Sequence, residues 1–142
     1  MLRMMADVVK LKPRLVHIMA GTNDIASNTG TITPEQSHDN FRMMVTLAKA
    51  HGIHVLLASV PPSGGFPWRP GLEVTAPIRA FNAWLPAYAR ETGSTWVDYT
   101  PVLATPEGAM KPGMAEDGVH PTPAGYHAME SVLLPILKAR KA

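Results

Sequence analysis

Two short stretches of this chain carry side chains able to do chemistry, and they lie far apart in the sequence. In Asp117-Gly118-Val119-His120-Pro121 a carboxylate precedes an imidazole by three positions. A turn over that spacing brings the carboxylate to the ring's Nδ1, which fixes one tautomer and leaves Nε2 facing outward as a base. The same spacing also suits an acid that merely caps a turn beside a surface histidine. In Gly21-Thr22-Asn23-Asp24, Asn23 offers a neutral N–H donor able to face a developing oxyanion. Gly21 lets the backbone turn sharply and has its own N–H as a second donor. Read alone, this stretch is equally an Asn-Asp turn with Asp24 capping a short helical turn.

If His120 acts as a base and Asn23 as a donor, covalent chemistry would still need a nucleophile from elsewhere in the chain. The serines are Ser27, Ser37, Ser59, Ser63, Ser94 and Ser131, and none lies in a Gly-Asp-Ser or Gly-x-Ser-x-Gly context. Ser59 and Ser63 are the two whose positions suit a substitute nucleophile, against a default of strand-end or loop hydroxyls; a water activated by His120 is the other source. The chain has no cysteine, so thiolate catalysis, disulfides and zinc-thiolate sites are excluded. His51 and His54 flank Gly52 at a helix end, where one of them favours the helix dipole rather than a metal. His17 reads as a satisfied imidazole within an apolar strand. The nine methionines and Trp84 suit a core, so neither a cofactor nor a metal is expected. Gly64-Gly65-Phe66-Pro67-Trp68 reads either as an apolar lip for an acyl group or as a loop folding back on the core.

The elements that must position these residues are legible from periodicity. Leu15 to Ala20, Ile53 to Val60 and Thr95 to Asp98 are short apolar runs rich in β-branched residues, as in strands of a parallel sheet buried on both faces. Thr33-Pro34-Glu35-Gln36 supplies an N-cap, a proline at the first helical position and a capping-box Gln. Phe41, Met44, Val45 and Ala48 then form an apolar stripe that stops at Gly52. Pro77 opens a second helix, with Ile78, Phe81, Trp84, Leu85 and Tyr88 on one side, which Pro86 should kink or divide. Thr122-Pro123 starts the last helix, with Pro135 a further expected irregularity. The first dozen residues, from Leu2 to a stop at Lys12-Pro13, also read as a helix. The order αβαβαβα predicts a parallel α/β sheet with right-handed crossovers, and ligands in such sheets bind beyond the carboxyl ends of the strands. That rule puts Gly21 to Asp24, the Ser59 to Pro70 loop and the segment after Asp98 along one rim.

With 142 residues, 46% of them apolar and 17% charged, the chain is expected to form a single domain over 1–142, burying about two thirds of its unfolded surface. A net charge of +2 with scattered basic residues gives no nucleic-acid footprint. No run reaches membrane-spanning length and the N-terminus lacks a signal-peptide core, so a soluble, cytoplasmic protein is expected as the chain is written.

Taken together, Gly21-Thr22-Asn23-Asp24 and Asp117-Gly118-Val119-His120-Pro121 resemble the third and fifth sequence blocks of the SGNH, or GDSL-type, esterases and acylhydrolases. The order of strands, helices and motifs along essentially the whole chain resembles that family as well. The resemblance implies a three-layer α/β/α fold of flavodoxin-like type and hydrolysis of small acyl or aryl esters. It implies Asn23 as oxyanion donor with Gly21 and Asp24 in support, His120 as general base and Asp117 as its orienting acid. The family's first block, which supplies the serine, and its second, which supplies a glycine N–H, have no counterpart here. The resemblance therefore implies an N-terminally shortened fold of about three strands. By the same comparison, Leu15 to Ala20 would be an exposed edge, and a homo-oligomer joined through that edge and the helix at residues 2 to 12 is expected. The competing readings are a non-catalytic assembly module or one half of a split enzyme. A flavodoxin-like phosphate binder is disfavoured by the missing glycine-rich loop.

Overall fold

A computed structural model describes residues 3–140. Three parallel strands form one sheet in the order β1 (Leu15–Ile18), β2 (His54–Ala58), β3 (Thr95–Val97). Leu15 pairs with His54 and Ile18 with Leu57; Leu56 pairs with Thr95 and Ala58 with Val97. The central strand alternates its side chains between two cores, as the pleat requires. Val55 and Leu57 join Phe41, Val45, Phe81 and Leu85 on one face, while Leu56 and Ala58 join Val97, Tyr99, Leu103 and Met129 on the other. Helices α3 (Pro34–Ala50) and α4 (Thr75–Thr92) cover the first face and α6 (Pro123–Ala139) the second, giving the expected three-layer α/β arrangement. Short helices α2 (Thr22–Ile25) and α5 (Thr100–Leu103) follow the ends of β1 and β3. Among the described residues, no helix is long and apolar enough to cross a membrane.

Local signals set the helix boundaries. Thr33 Oγ1 accepts from the Gln36 amide at 3.2 Å while Gln36 Oε1 accepts from the Thr33 amide at 2.7 Å, completing the capping box. Gly52 at φ +69° follows the exposed C-cap His51 and ends the helix. Thr122 Oγ1 accepts from the Gly125 amide and caps α6. His17 is half-buried with Nε2 3.0 Å from the Tyr99 hydroxyl, and His54 Nε2 lies 2.9 Å from Thr95 Oγ1.

Three expectations are corrected. Helix α4 begins at Thr75, two residues before Pro77, because Glu73 Oε1 accepts from the Ala76 amide and organises an earlier first turn. Pro86 does not divide α4, nor does Pro135 divide α6. A proline inside a helix costs about 3 kcal/mol, and burial of Leu85, Tyr88 and Ala89 around Pro86 offsets it. The N-terminal segment is a broken helix rather than one: α1 (Met4–Asp7) and a 3-10 turn (Val9–Leu11) are separated at Val8, a break that lets both Met4 and Val9 bury. Lys12, before Pro13, turns to φ +48°, away from the right-handed helical region that a following proline disfavours. Leu2 lies outside the described residues.

Candidate active site

The loops beyond the strands' carboxyl ends enclose a cavity of about 760 Å3. Gly21, Asn23 and Asp24 stand on one wall and His120 and Pro121 on another, with Trp68 and Tyr126 exposed between solvent and cavity. Met19 and Ala20, which follow β1, and Phe41 and Met44 of α3 complete its apolar part.

The acid–base side is assembled within four residues. Asp117 Oδ2 lies 2.6 Å from His120 Nδ1, and Asp117 Oδ1 accepts from the Val119 and His120 amides at 2.9 and 2.8 Å. Gly118, at φ +77°, provides the left-handed turn that closes this loop. The carboxyl of Asp117 is held well below the usual carboxylate range, first by the His120 ring and then by the two backbone N–H groups. It is therefore an anion at neutral pH, and a carboxylate on Nδ1 keeps that nitrogen protonated and Nε2 free to accept a proton. Val119 is buried in the core behind the loop, so the backbone between acid and base is anchored while the imidazole remains mostly exposed.

The Asn23 side of the cavity depends on the turn after β1. Gly21 sits at φ +113°, and a Cβ there would lie 2.9 Å from a Val60 methyl, so both conformation and space call for glycine. Its carbonyl accepts from the Ile25 amide, starting the single helical turn that carries Asn23 and Asp24. Asn23 Oδ1 accepts from Asn28 Nδ2 at 2.9 Å, and Asn28 Oδ1 in turn accepts from the Trp68 indole N–H at 3.0 Å. Asp24 lies on the cavity wall, but the side-chain bond that supports Asn23 comes from Asn28.

Ser59 and Ser63 are buried and engaged with backbone. Ser59 Oγ accepts from the Tyr99 amide at 2.9 Å, joining the ends of β2 and β3. Ser63 Oγ donates to the Gly65 carbonyl and accepts from the Gly65 amide within one tight turn. Neither lines the cavity, where the hydroxyl-bearing residues are Thr22 and Tyr126. Among the described residues, no group of three His, Asp or Glu side chains could hold a metal.

The loop does fold back on the core at Phe66, while Trp68 lines the cavity. Phe66 is buried in the core, and Trp68 stacks on it at 5.2 Å with its ring 5.9 Å from that of His120. Asn28 and Trp68 are the site residues that sequence reasoning missed as polar partners. Asn28 lies in the same opening run as Asn23, yet nothing in that run says which side chain meets which.

The carboxyl-end rim of the parallel three-layer α/β sheet thus carries an acid–histidine pair and an asparagine on one cavity. A GDSL-like lipase/acylhydrolase family model matches residues 1–128, and the chain belongs to that family. It is similar to a GDSL-like lipase from Bacteroides thetaiotaomicron VPI-5482, at 39% identity and a TM-score of 0.93, over 98% of this chain and 69% of that one. It resembles TesA at 26% identity and a TM-score of 0.72, over 97% and 69% of the two chains. Its fold also matches an acetylxylan esterase from Geobacillus stearothermophilus, at 23% identity and a TM-score of 0.73, over 94% and 64%. No curated protein matches the chain.

Proposed function

We propose that this chain carries the acid–base and oxyanion parts of a hydrolytic site for small acyl or aryl esters. The observation that carries the reading is the 2.6 Å Asp117–His120 pair on the same cavity as Asn23. His120 takes the proton of the attacking hydroxyl and returns it to the leaving alcohol; Asp117 orients the ring and stabilises the imidazolium. Asn23, with the turn at Gly21, donates to the carbonyl oxygen as it gains charge. The reaction adds water across the ester, giving a carboxylic acid and an alcohol, and needs neither cofactor nor metal. The test is hydrolysis of short-chain p-nitrophenyl esters by the purified protein and by His120→Ala, with mass spectrometry after treatment with a serine-reactive organophosphonate. Turnover lost in His120→Ala is expected. Turnover that survives the substitution sinks the assignment, and an adduct on Ser59 or Ser63 would name a nucleophile.

A second reading is favoured by one feature of the sheet. Among the described residues, strand β1 pairs with β2 on one side only, and the strand runs directly into Met19 and Ala20 of the cavity wall. We propose that this edge and the segment around Leu11, which is 72% exposed, meet a second copy of the chain. A two-fold contact there brings two cavities together and allows one copy to complete the other's site, or makes the chain an assembly module without turnover. Light scattering during gel filtration is expected to show an oligomer; a stable monomer at micromolar concentration removes this reading.

A further inference from the structure

We infer that Trp68 and Asn28 are positioning residues that aim the Asn23 amide into the cavity, an inference that rests on Asn23 being the oxyanion donor. The argument begins with the indole, whose N–H can donate but never accept. The group it meets on Asn28, 3.0 Å away, must therefore be the carbonyl oxygen, which leaves Asn28 Nδ2 as the atom facing Asn23. An NH2 group can only donate, so the Asn23 atom 2.9 Å away must be its own carbonyl oxygen. Asn23 Nδ2 is then directed away from this chain of bonds. One donor-only group thus sets the polarity of two amides that would otherwise be free to rotate by half a turn.

The surrounding structure keeps this relay in register. Ser27 occupies φ +54°, an uncommon conformation for a residue with a Cβ, and its carbonyl accepts from Arg69 Nη2 at 3.0 Å. Trp68 and Arg69 therefore clamp the same turn through neighbouring residues, one by its side chain and the other by its backbone. Trp68 is fixed by its parallel stack on buried Phe66. Because its ring also lies beside His120, a single loop touches both halves of the site.

The test needs no turnover, so it separates from the hydrolase reading. Side-chain amide resonances of the isotope-labelled 142-residue protein are followed by NMR while dimethyl methylphosphonate, a neutral tetrahedral P=O acceptor, is added. In the native protein the Asn23 Nδ2 protons are expected to shift and saturate. Asn28→Asp keeps an acceptor for Trp68 but cannot donate to Asn23, so the Asn23 amide reverses and the apparent affinity falls by about tenfold or more. The Trp68 indole resonance should remain near its native position in that variant, a result that loss of the fold would not give. Trp68→Phe keeps the stack and removes the donor; two amide orientations then compete and affinity falls by about twofold. Should Asn28→Asp fail to fold, Trp68→Phe with Asn28→Ala carries the test, the latter displacing the indole resonance. Equal responses in the native protein and the variants overturn the relay, as does a native Asn23 amide that ignores the probe. A relay that behaves as expected in a protein hydrolysing no ester leaves this inference standing and removes the proposed activity.

Discussion

The two sides of the cavity are built on different length scales. On the acid–base side each hydrogen bond of Asp117 joins it to a residue two or three positions away, and the loop is pinned by Val119 and by the capped start of α6. On the oxyanion side the turn from Gly21 to Asn28 takes its last polar partner from Trp68, forty residues along the chain. The first arrangement forms wherever its few residues fold. The second exists only when the loop carrying Trp68 has docked. A local device fixes one histidine's tautomer, whereas a tertiary one fixes the polarity of an amide, and the second should fail first when packing is disturbed.

The largest expected effect lies on the local side. If the chain turns over an ester, His120→Ala should lower kcat/KM by about 10^2- to 10^4-fold, the range general acid–base catalysis supplies. Asn23→Ala should follow at about 10^2- to 10^3-fold, expressed in kcat rather than KM because the donor acts on charge that develops after binding. Steady-state kinetics on both variants checks the pair. A loss confined to KM in Asn23→Ala would place Asn23 in ground-state binding and break the comparison.

This contrast also explains what was readable from sequence. The fold class, the three strands and the Asp117–His120 pairing rest on periodicity, caps and short spacing, which a single chain displays directly. The capping box at Thr33 and Gln36 and the turn at Gly21 were legible for the same reason. Division at Pro86 was a wrong alternative because the price of a lost helical bond is local and visible, while the burial of Leu85 and Tyr88 that offsets it is tertiary. Asn28 and Trp68 escaped because polarity passed through amides depends on which atoms meet, and sequence does not encode that in any period. Ser59 and Ser63 lie near the strand ends as expected, but burial and backbone bonding decided their surroundings.

A third substitution sharpens the comparison through stability. Gly125, in the first turn of α6, has the Met114 carbonyl oxygen crowding the place where a Cβ would stand and a Pro121 carbon 3.1 Å from it. Gly125→Ala must push α6 away from the loop that carries His120, since a backbone carbonyl cannot rotate aside as a side chain can. The expected cost is about 1–3 kcal/mol, typical of overpacking, read from the urea midpoint. Because the strain falls on the acid–base side, the Asp117 to His120 amides should lose hydrogen-exchange protection more than those of Asn23 to Asn28. The reverse order would mean that α6 supports the oxyanion turn instead.

The smallest effect comes from pH. Burial holds His17 of β1 below its ordinary value near 6.5, so the folded state takes up this proton less readily than the unfolded chain. Stability is then flat above that value and declines as pH falls below it, because the unfolded state binds the extra proton; the decline ends at the lower folded value. His54 is depressed too, first by burial and then by the charges of Arg140 and Lys49, so it adds to the same slope. Asp117 has the same sign in a lower window: its depressed carboxyl keeps its stabilising contribution through the weakly acidic range and loses it only in stronger acid. Mild acidification therefore loads β1, from which the oxyanion turn hangs, while leaving the ionised partner of His120 in place. Urea midpoints measured from pH 7.5 down to 5.5 should fall in the native protein and fall less in His17→Phe, which cannot take up the proton. An unchanged slope in that variant would assign the titration to His54 and sever the link between pH and the oxyanion side.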